Sequence, residues 1–273
     1  MIGVPPAALL ALVLFADPPR QTEGILLEEL TWVEAEKVLT PETVVVIPIG
    51  AASKEHGPHL KLKNDFILAE FLKGRVRERA PVVIAPTVNY HFYPAFVEYP
   101  GSTSLRLETA RDLIVDICRG LARFGPRRFY VLNTGVSTVR ALAPAAVALA
   151  ADGILMRYTD LLRVMDLVEK QVSQQEGGTH ADEIETSMIL YMSPGDVDMS
   201  KAVKDYHPGK GGLTRDPKKE GLTYSPSGVF GDATLATKEK GRKVTEALVD
   251  AIVKEIEELR KAEPPAKPTP TGS

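Results

Sequence analysis

Thr43-Val44-Val45-Val46-Ile47-Pro48-Ile49-Gly50 continues through Ala51-Ala52-Ser53 into Lys54-Glu55-His56-Gly57-Pro58-His59-Leu60-Lys61-Leu62-Lys63-Asn64-Asp65. The first part is apolar, β-branched and closed by a turn residue, the pattern of a buried strand. In open α/β sheets, ligands bind beyond the carboxyl ends of the strands, which is where the second part falls. Two of the five histidines, a Glu and an Asp lie between residues 55 and 65. Imidazole nitrogen with carboxylate oxygen suits Zn²⁺ and other first-row divalent metals. Gly57-Pro58 bends the chain between His56 and His59, so the two rings need not point the same way. The other reading of this stretch is a charged surface loop, with Lys54, Lys61 and Lys63 in solvent.

Outward from this strand, helical and extended patterns alternate. Leu27–Val38 has helical spacing, Asp65 can cap a helix over Phe66–Arg79, and Pro81–Pro86 reads as a second strand. Asn89–Ser104 is a loop rich in aromatics and turn residues. A helix over Leu107–Phe124 stops at Gly125-Pro126. Strands at Arg128–Asn133 and Gly153–Tyr158 alternate with helices at Val139–Ala151 and Asp160–Gln171. This alternation predicts an α/β fold, a mostly parallel sheet with helices on both faces. Ser193–Phe230 has little periodicity and much Gly, Pro and Lys, and a loop of that length inside a domain is usually functional or involved in assembly. A helix over Thr234–Lys261 and a Pro-rich tail, Ala262–Ser273, read as disordered, close the chain.

The chain of 273 residues is 44% hydrophobic with a net charge of −3, enough for one large domain or two small ones with a sizeable core. With no basic stripe, nucleic acid and an anionic membrane are not expected partners. Cys118 is the one cysteine, which excludes an intrachain disulfide, and its helical surroundings read as packing. Ala7–Ala16 is an apolar run of ten residues followed by Asp17-Pro18-Pro19. It is too short to span a bilayer and suits the apolar core of a signal peptide, although no Lys or Arg precedes it. Export, periplasmic or secreted, is the expectation. If the run is instead an ordinary N-terminal helix, the protein is cytoplasmic.

A second constellation is Thr179-His180-Ala181-Asp182-Glu183-Ile184-Glu185. On a helix beginning near Ala181, Asp182 and Glu185 share a face, and Glu185 sits near the positive end of the helix dipole. Glu185 can then be a metal ligand and His180 a proton shuttle. Alternatively the acidic residues only cap and charge the helix start. Gly209-Lys210-Gly211-Gly212 lacks the spacing of a phosphate-binding loop, and no Gly-x-Ser-x-Gly elbow is present. His207, before Pro208-Gly209, reads as a turn residue.

Four blocks, taken together, resemble the creatininase (creatinine amidohydrolase) family. They are Ile47–Gly50 with His56–Leu60 and Asp65; Tyr99–Arg106 with Glu108-Thr109; His180–Ser187; and Gly228–Asp232 with Ala236-Thr237 and Glu239–Gly241. The resemblance covers about residues 40–245. It implies a three-layer α/β/α, Rossmann-like domain over 25–261, commonly assembled as a homo-oligomer, and a small-molecule substrate. It also implies a hydrolase in which water activated by one or two divalent metals (Zn, Mn or Fe) attacks a cyclic amide or similar C–N bond. His56 and Asp65 match metal ligands of the pattern, His180 a catalytic histidine and Glu185 a recurrent acidic position.

The chain departs from the pattern in two places. Lys54 stands two residues before His56, where the family places Glu. Glu55 is adjacent to His56, and there is one residue more between Gly50 and His56 than the family has. A bulge there would turn Glu55 inward. Asn133–Thr138 lacks the histidine the family carries after that strand. One metal is therefore expected rather than two, unless His59 or His91 substitutes. Its candidate ligands are Glu55, His56, Asp65 and Glu185, with His180 protonating the leaving nitrogen and His91 and Tyr93 contacting substrate. The alternative is a catalytically silent member that binds a ligand or serves in assembly.

Overall fold

A computed structural model describes residues 23–266. The apolar run at 7–16 and most of the Pro-rich tail lie outside the described residues. The central sheet holds five parallel strands in the order β1-β3-β2-β4-β5. They are β1 (Ile25–Leu26), β2 (Val44–Ile49), β3 (Val83–Ile84), β4 (Arg128–Asn133) and β5 (Leu155–Tyr158). Six residues of β2 pair with six of β4, from Val44 opposite Arg128 to Ile49 opposite Asn133.

Every residue of β2 is buried, as expected for a central strand covered on both faces. Its side chains alternate between two cores. Val44 and Val46 face the core formed with α2 (Asn64–Arg79), α6 (Glu183–Met192) and α7 (Lys238–Lys261). Val45, Ile47 and Ile49 face the core formed with α3 (Leu107–Ala122) and α4 (Val139–Ala150). The period of two thus builds the three layers the alternation predicts. Cys118 packs in the second core, and burial pushes its thiol well up.

The sequence reading is corrected locally. Residues 27–38 are not one helix: a 3₁₀ turn at Leu27–Glu29 precedes α1 (Trp32–Val38), which Thr31 and Glu34 start with reciprocal capping bonds. Asp65 does not cap α2. Lys63 holds that position, and Asp65 lies in the first turn, where its side chain is free for other work. The last helix starts at Lys238 rather than Thr234, capped by Thr237. Between α6 and α7, short strand pairs brace the long connection: Lys204–Asp205 against Gly231–Asp232, and Leu213–Thr214 beside Thr223–Tyr224.

Gly50 sets the geometry of the site. A Cβ on it would stand 2.3 Å from the Asp65 carbonyl oxygen, so only glycine lets the start of α2 press against the end of β2. The loop after β4 is drawn to the same point, where the Thr134 hydroxyl donates to the Ile49 carbonyl at 2.8 Å.

Candidate metal centre

The loop after β2 delivers Lys54, Glu55 and His56 to the carboxyl edge of the sheet, all three buried. The expectation that Lys54 is solvated is overturned, because this lysine is 4% exposed. Its Nζ lies 2.7 Å from Asp65 Oδ2, and the ring centroids of Phe96 and Tyr93 lie 4.6 and 5.6 Å from it. A buried carboxylate and two aromatic faces stabilise an ammonium that burial alone would penalise. Lys61 and Lys63 are exposed, as expected.

His56 Nδ1 donates to the Lys54 carbonyl at 3.0 Å, so the neutral ring carries its lone pair on Nε2. That nitrogen faces Asp65 Oδ1 at 2.7 Å. Burial alone would raise the Asp65 carboxyl, but Lys54 and His56 together hold it well below the usual carboxylate range.

His180 is set by the turn before α6. Its backbone pairs with Phe230, and the next residue, Ala181, adopts φ +49°, unusual for a non-glycine residue. The Ala181 N–H is taken by Glu185 Oε2 at 2.5 Å, which anchors this conformation. His180 Nε2 donates to the Glu55 carbonyl and to Glu55 Oε1, at 3.1 and 2.7 Å. Nδ1 therefore keeps its lone pair in the neutral ring, and it faces Glu185 Oε2 at 3.5 Å. Burial works to lower the His180 pKa, yet Glu55 and then Glu185 raise it above the ordinary imidazole value.

Glu55 is turned inward, as a bulge would require. Its Oε2 accepts from the Gly57 N–H at 2.9 Å, and its backbone N–H donates to Ser102 Oγ at 2.9 Å. A Cβ on Gly228 would meet Glu55 Oε2 at 2.1 Å, so a glycine there is what admits the inward carboxylate. The pairing of blocks distant in sequence thus has a steric reason.

Two imidazole lone pairs consequently point at carboxylate oxygens, an arrangement a cation relieves. His56, His180 and Glu185 each offer a ligand atom, all within 4.8 Å of one another. Two nitrogens and one oxygen fit a first-row divalent ion with positions left open. This set differs from the expected one. His56 and Glu185 are in it, and His180, expected as a proton donor, joins them. Glu55, expected as a ligand, stands behind His180 on Nε2, as carboxylates commonly do behind metal-binding imidazoles. The Lys54 carbonyl stands behind His56, whereas Asp65 Oδ1 lies on the open side of that ring, 2.7 Å from Nε2.

The remaining candidates separate. Tyr93 lines the adjoining cavity of about 240 Å³, together with Lys54, Phe96, Ser137, Phe230 and others. His91 does not line it. That ring is buried, edge-on to Tyr93, and burial lowers its pKa to about 4. His59 bonds Thr186 Oγ1 at 2.8 Å, and burial, then His56, lowers it to about 4 as well. Neither replaces the histidine absent near Gly135. Asp182 does what a helix start asks: Oδ1 accepts from the N–H groups of Ile184 and Glu185, both at 3.0 Å. Glu183 pairs with Lys240. The capping reading therefore holds for Asp182, while Glu183 forms an ion pair and Glu185 turns to the site. Phe96, stacked on His180 at 4.2 Å, was not anticipated, although its place in the aromatic loop was a signal.

Residues 28–256 match the creatininase (creatinine amidohydrolase) family. The chain belongs to the creatininase family. It is 28% identical over 258 residues to creatinine amidohydrolase of Pseudomonas putida, spanning 87% of this chain and 98% of that one. It is 30% identical over 220 residues to the mycofactocin precursor peptide peptidase of Mycolicibacterium smegmatis, spanning 78% and 84%. A solved structure of a mutant creatininase of Zn–Zn type superimposes with a TM-score of 0.71 at 27% identity, covering 88% of this chain and all of that one. This creatininase-family chain thus shares the fold as well as the sequence blocks of a family of hydrolases, and it is a hydrolase of that family.

Proposed function

We propose that this creatininase-family hydrolase is metal-dependent and cleaves a cyclic amide or similar C–N bond of a small molecule. One observation carries the reading: His56, His180 and Glu185 converge within 4.8 Å, with imidazole lone pairs facing carboxylates. A divalent ion bound there, Zn²⁺, Mn²⁺ or Fe²⁺, would supply Lewis acidity and make hydroxide available near neutral pH.

The side chains of the chain have separable tasks in this scheme. Glu55 holds His180, and the Lys54 carbonyl holds His56, in their rotamers and tautomers, at 2.7 and 3.0 Å, and Asp65 Oδ1 beside His56 Nε2 would help hold the ion. Phe96 and Phe230 wall the cavity and limit water, which strengthens polar interactions inside it. In this scheme both nitrogens of His180 are taken, Nε2 by Glu55 and Nδ1 by the ion, so the proton for the leaving nitrogen comes from the attacking water and is relayed by the Glu185 carboxylate. Its side chain, 23% exposed, lines the cavity and is accessible to water. At about 240 Å³ the cavity is below the usual range for drug-sized ligands, which favours a compact ring over an extended chain.

The test is metal analysis of the purified protein, followed by assays on creatinine, small lactams and short peptides. Activity on at least one of these should vanish with chelator, return with Zn²⁺ or Mn²⁺, and be absent in His56→Ala and His180→Ala. A wild type that neither carries nor takes up a stoichiometric divalent ion would falsify the reading.

A further inference from the structure

Lys54 and Asp65 form a closed unit at the edge of the candidate centre. Asp65 Oδ2 is held by Lys54 Nζ and Oδ1 faces His56 Nε2, each at 2.7 Å. With Oδ2 held by the ammonium, only Oδ1 is left for a metal ion, so Asp65 is not free to be shared between two. Around the Lys54 ammonium the other neighbours are aromatic: Phe96 and Tyr93. Asp65 is its one acidic partner among the described residues, and Lys54 lines the cavity. An ammonium has three donors, and a single carboxylate oxygen at hydrogen-bond distance accounts for one. The loop after β4, close by, presents Thr134 and Ser137 to the same cavity and no histidine.

We propose that Lys54 is a built-in cation that takes the place of a second metal ion. Its ammonium balances Asp65 and offers its remaining N–H bonds to the carbonyl oxygen of a bound amide. As negative charge grows on that oxygen during attack, a fixed ammonium in a site that limits water stabilises it, as preorganised donors do in general. The chain then needs one divalent ion, on His56, His180 and Glu185, where a Zn–Zn relative holds two. The inference rests on the one-metal reading above. It adds that the place of the second ion is filled by a side chain and is not merely lost.

The experiment counts bound Zn²⁺ by calorimetry and by elemental analysis, on full-length protein first stripped with chelator. Wild type should bind one equivalent. Lys54→Glu and Lys54→Ala, verified as folded by circular dichroism, should each bind a second. In Lys54→Ala, methylammonium, a mimic of the deleted group, should compete with that second ion and leave the first in place. Two equivalents on wild type would overturn the role of Lys54 while leaving the metal reading intact. One equivalent on both folded variants would overturn it too. No zinc on wild type would overturn both. Where Lys54→Glu and Lys54→Ala do not fold, Lys54→Met, which keeps the length of the side chain against the two aromatic rings, is counted in their place and should also bind a second.

Discussion

In the loop after β2, the histidine and carboxylate His56 and Asp65 share their pocket with Lys54. At the start of α6, His180 stands between two carboxylates, Glu55 and Glu185, and no lysine or arginine is ion-paired with them among the described residues. With neutral imidazoles, the first group sums to zero (Lys54 +1, Asp65 −1) and the second to −2 (Glu55 −1, Glu185 −1). Buried charge must be compensated locally because solvent cannot do it. The first group carries its own cation. The second must take one from outside, a proton on His180 or a metal ion, and its carboxylates hold that proton more tightly than an ordinary imidazole would despite burial. Two similar side-chain sets therefore have different jobs, one closed and one open.

The largest expected effect tests the open group. Glu185→Gln removes the mobile proton carrier and one negative charge, and kcat on any C–N substrate of the enzyme should fall by about two to four orders of magnitude. Unchanged turnover in the metal-loaded variant would place proton transfer elsewhere. Next comes the closed group. Asp65→Asn strands the Lys54 charge, and because both partners are buried the loss should be about 3–5 kcal/mol in urea unfolding. A loss under about 1 kcal/mol, typical of an exposed pair, would show the group is not closed. Glu55→Gln should be milder, weakening Zn²⁺ binding by roughly 10–100-fold while the protein stays folded, since Glu55 acts through His180.

The smallest effect concerns pH and a histidine outside both groups. His91 is buried and its pKa is lowered to about 4, against 6.5 when unfolded. Between those values the unfolded chain binds more protons, so this group's contribution to stability is lost as pH falls from about 6.5 to about 4. Asp182, raised to about 6 mainly by burial, works in the opposite sense, favouring the folded state as pH falls through its window. Subtracting the urea midpoints of His91→Gln from those of wild type across pH 4–7 isolates the histidine. The variant should lose less stability on acidification, and parallel curves would mean that His91 is not buried neutral.

Much of the fold could be read along the chain because the signals were local. Arg128–Asn133 was read to the residue as a strand, and α3, α4 and the helix α5 (Leu161–Val172) fell within a few residues of their bounds, since β-branched runs and helical spacing report burial directly. The first strand was missed. It has only the residues Ile25–Leu26, too few to show a period, and exists because Val83–Ile84 offers an edge to pair with. For the site, residue types were legible and partnerships were not. His56, Asp65, His180 and Glu185 were all identified, yet Glu55, expected as a ligand, sits behind the His180 ring instead. Lys54 was expected in water because three lysines share that loop, and nothing local distinguishes it from Lys61 or Lys63.

The sequence by itself determined the elements, the order of the layers and the stock of imidazoles and carboxylates at the carboxyl edge, because hydrophobic period and residue chemistry are properties of short stretches. Only the tertiary structure decided which carboxylate faces which nitrogen and which lysine is buried. Those choices depend on contacts between segments far apart: Gly228 making room for Glu55, Gly50 admitting the start of α2, and the aromatic loop bringing Phe96 over Lys54. The physical reason is that a charge is classified by what surrounds it, and here the surroundings include Phe96 over Lys54 and Gly228 beside Glu55, each more than forty positions away along the chain.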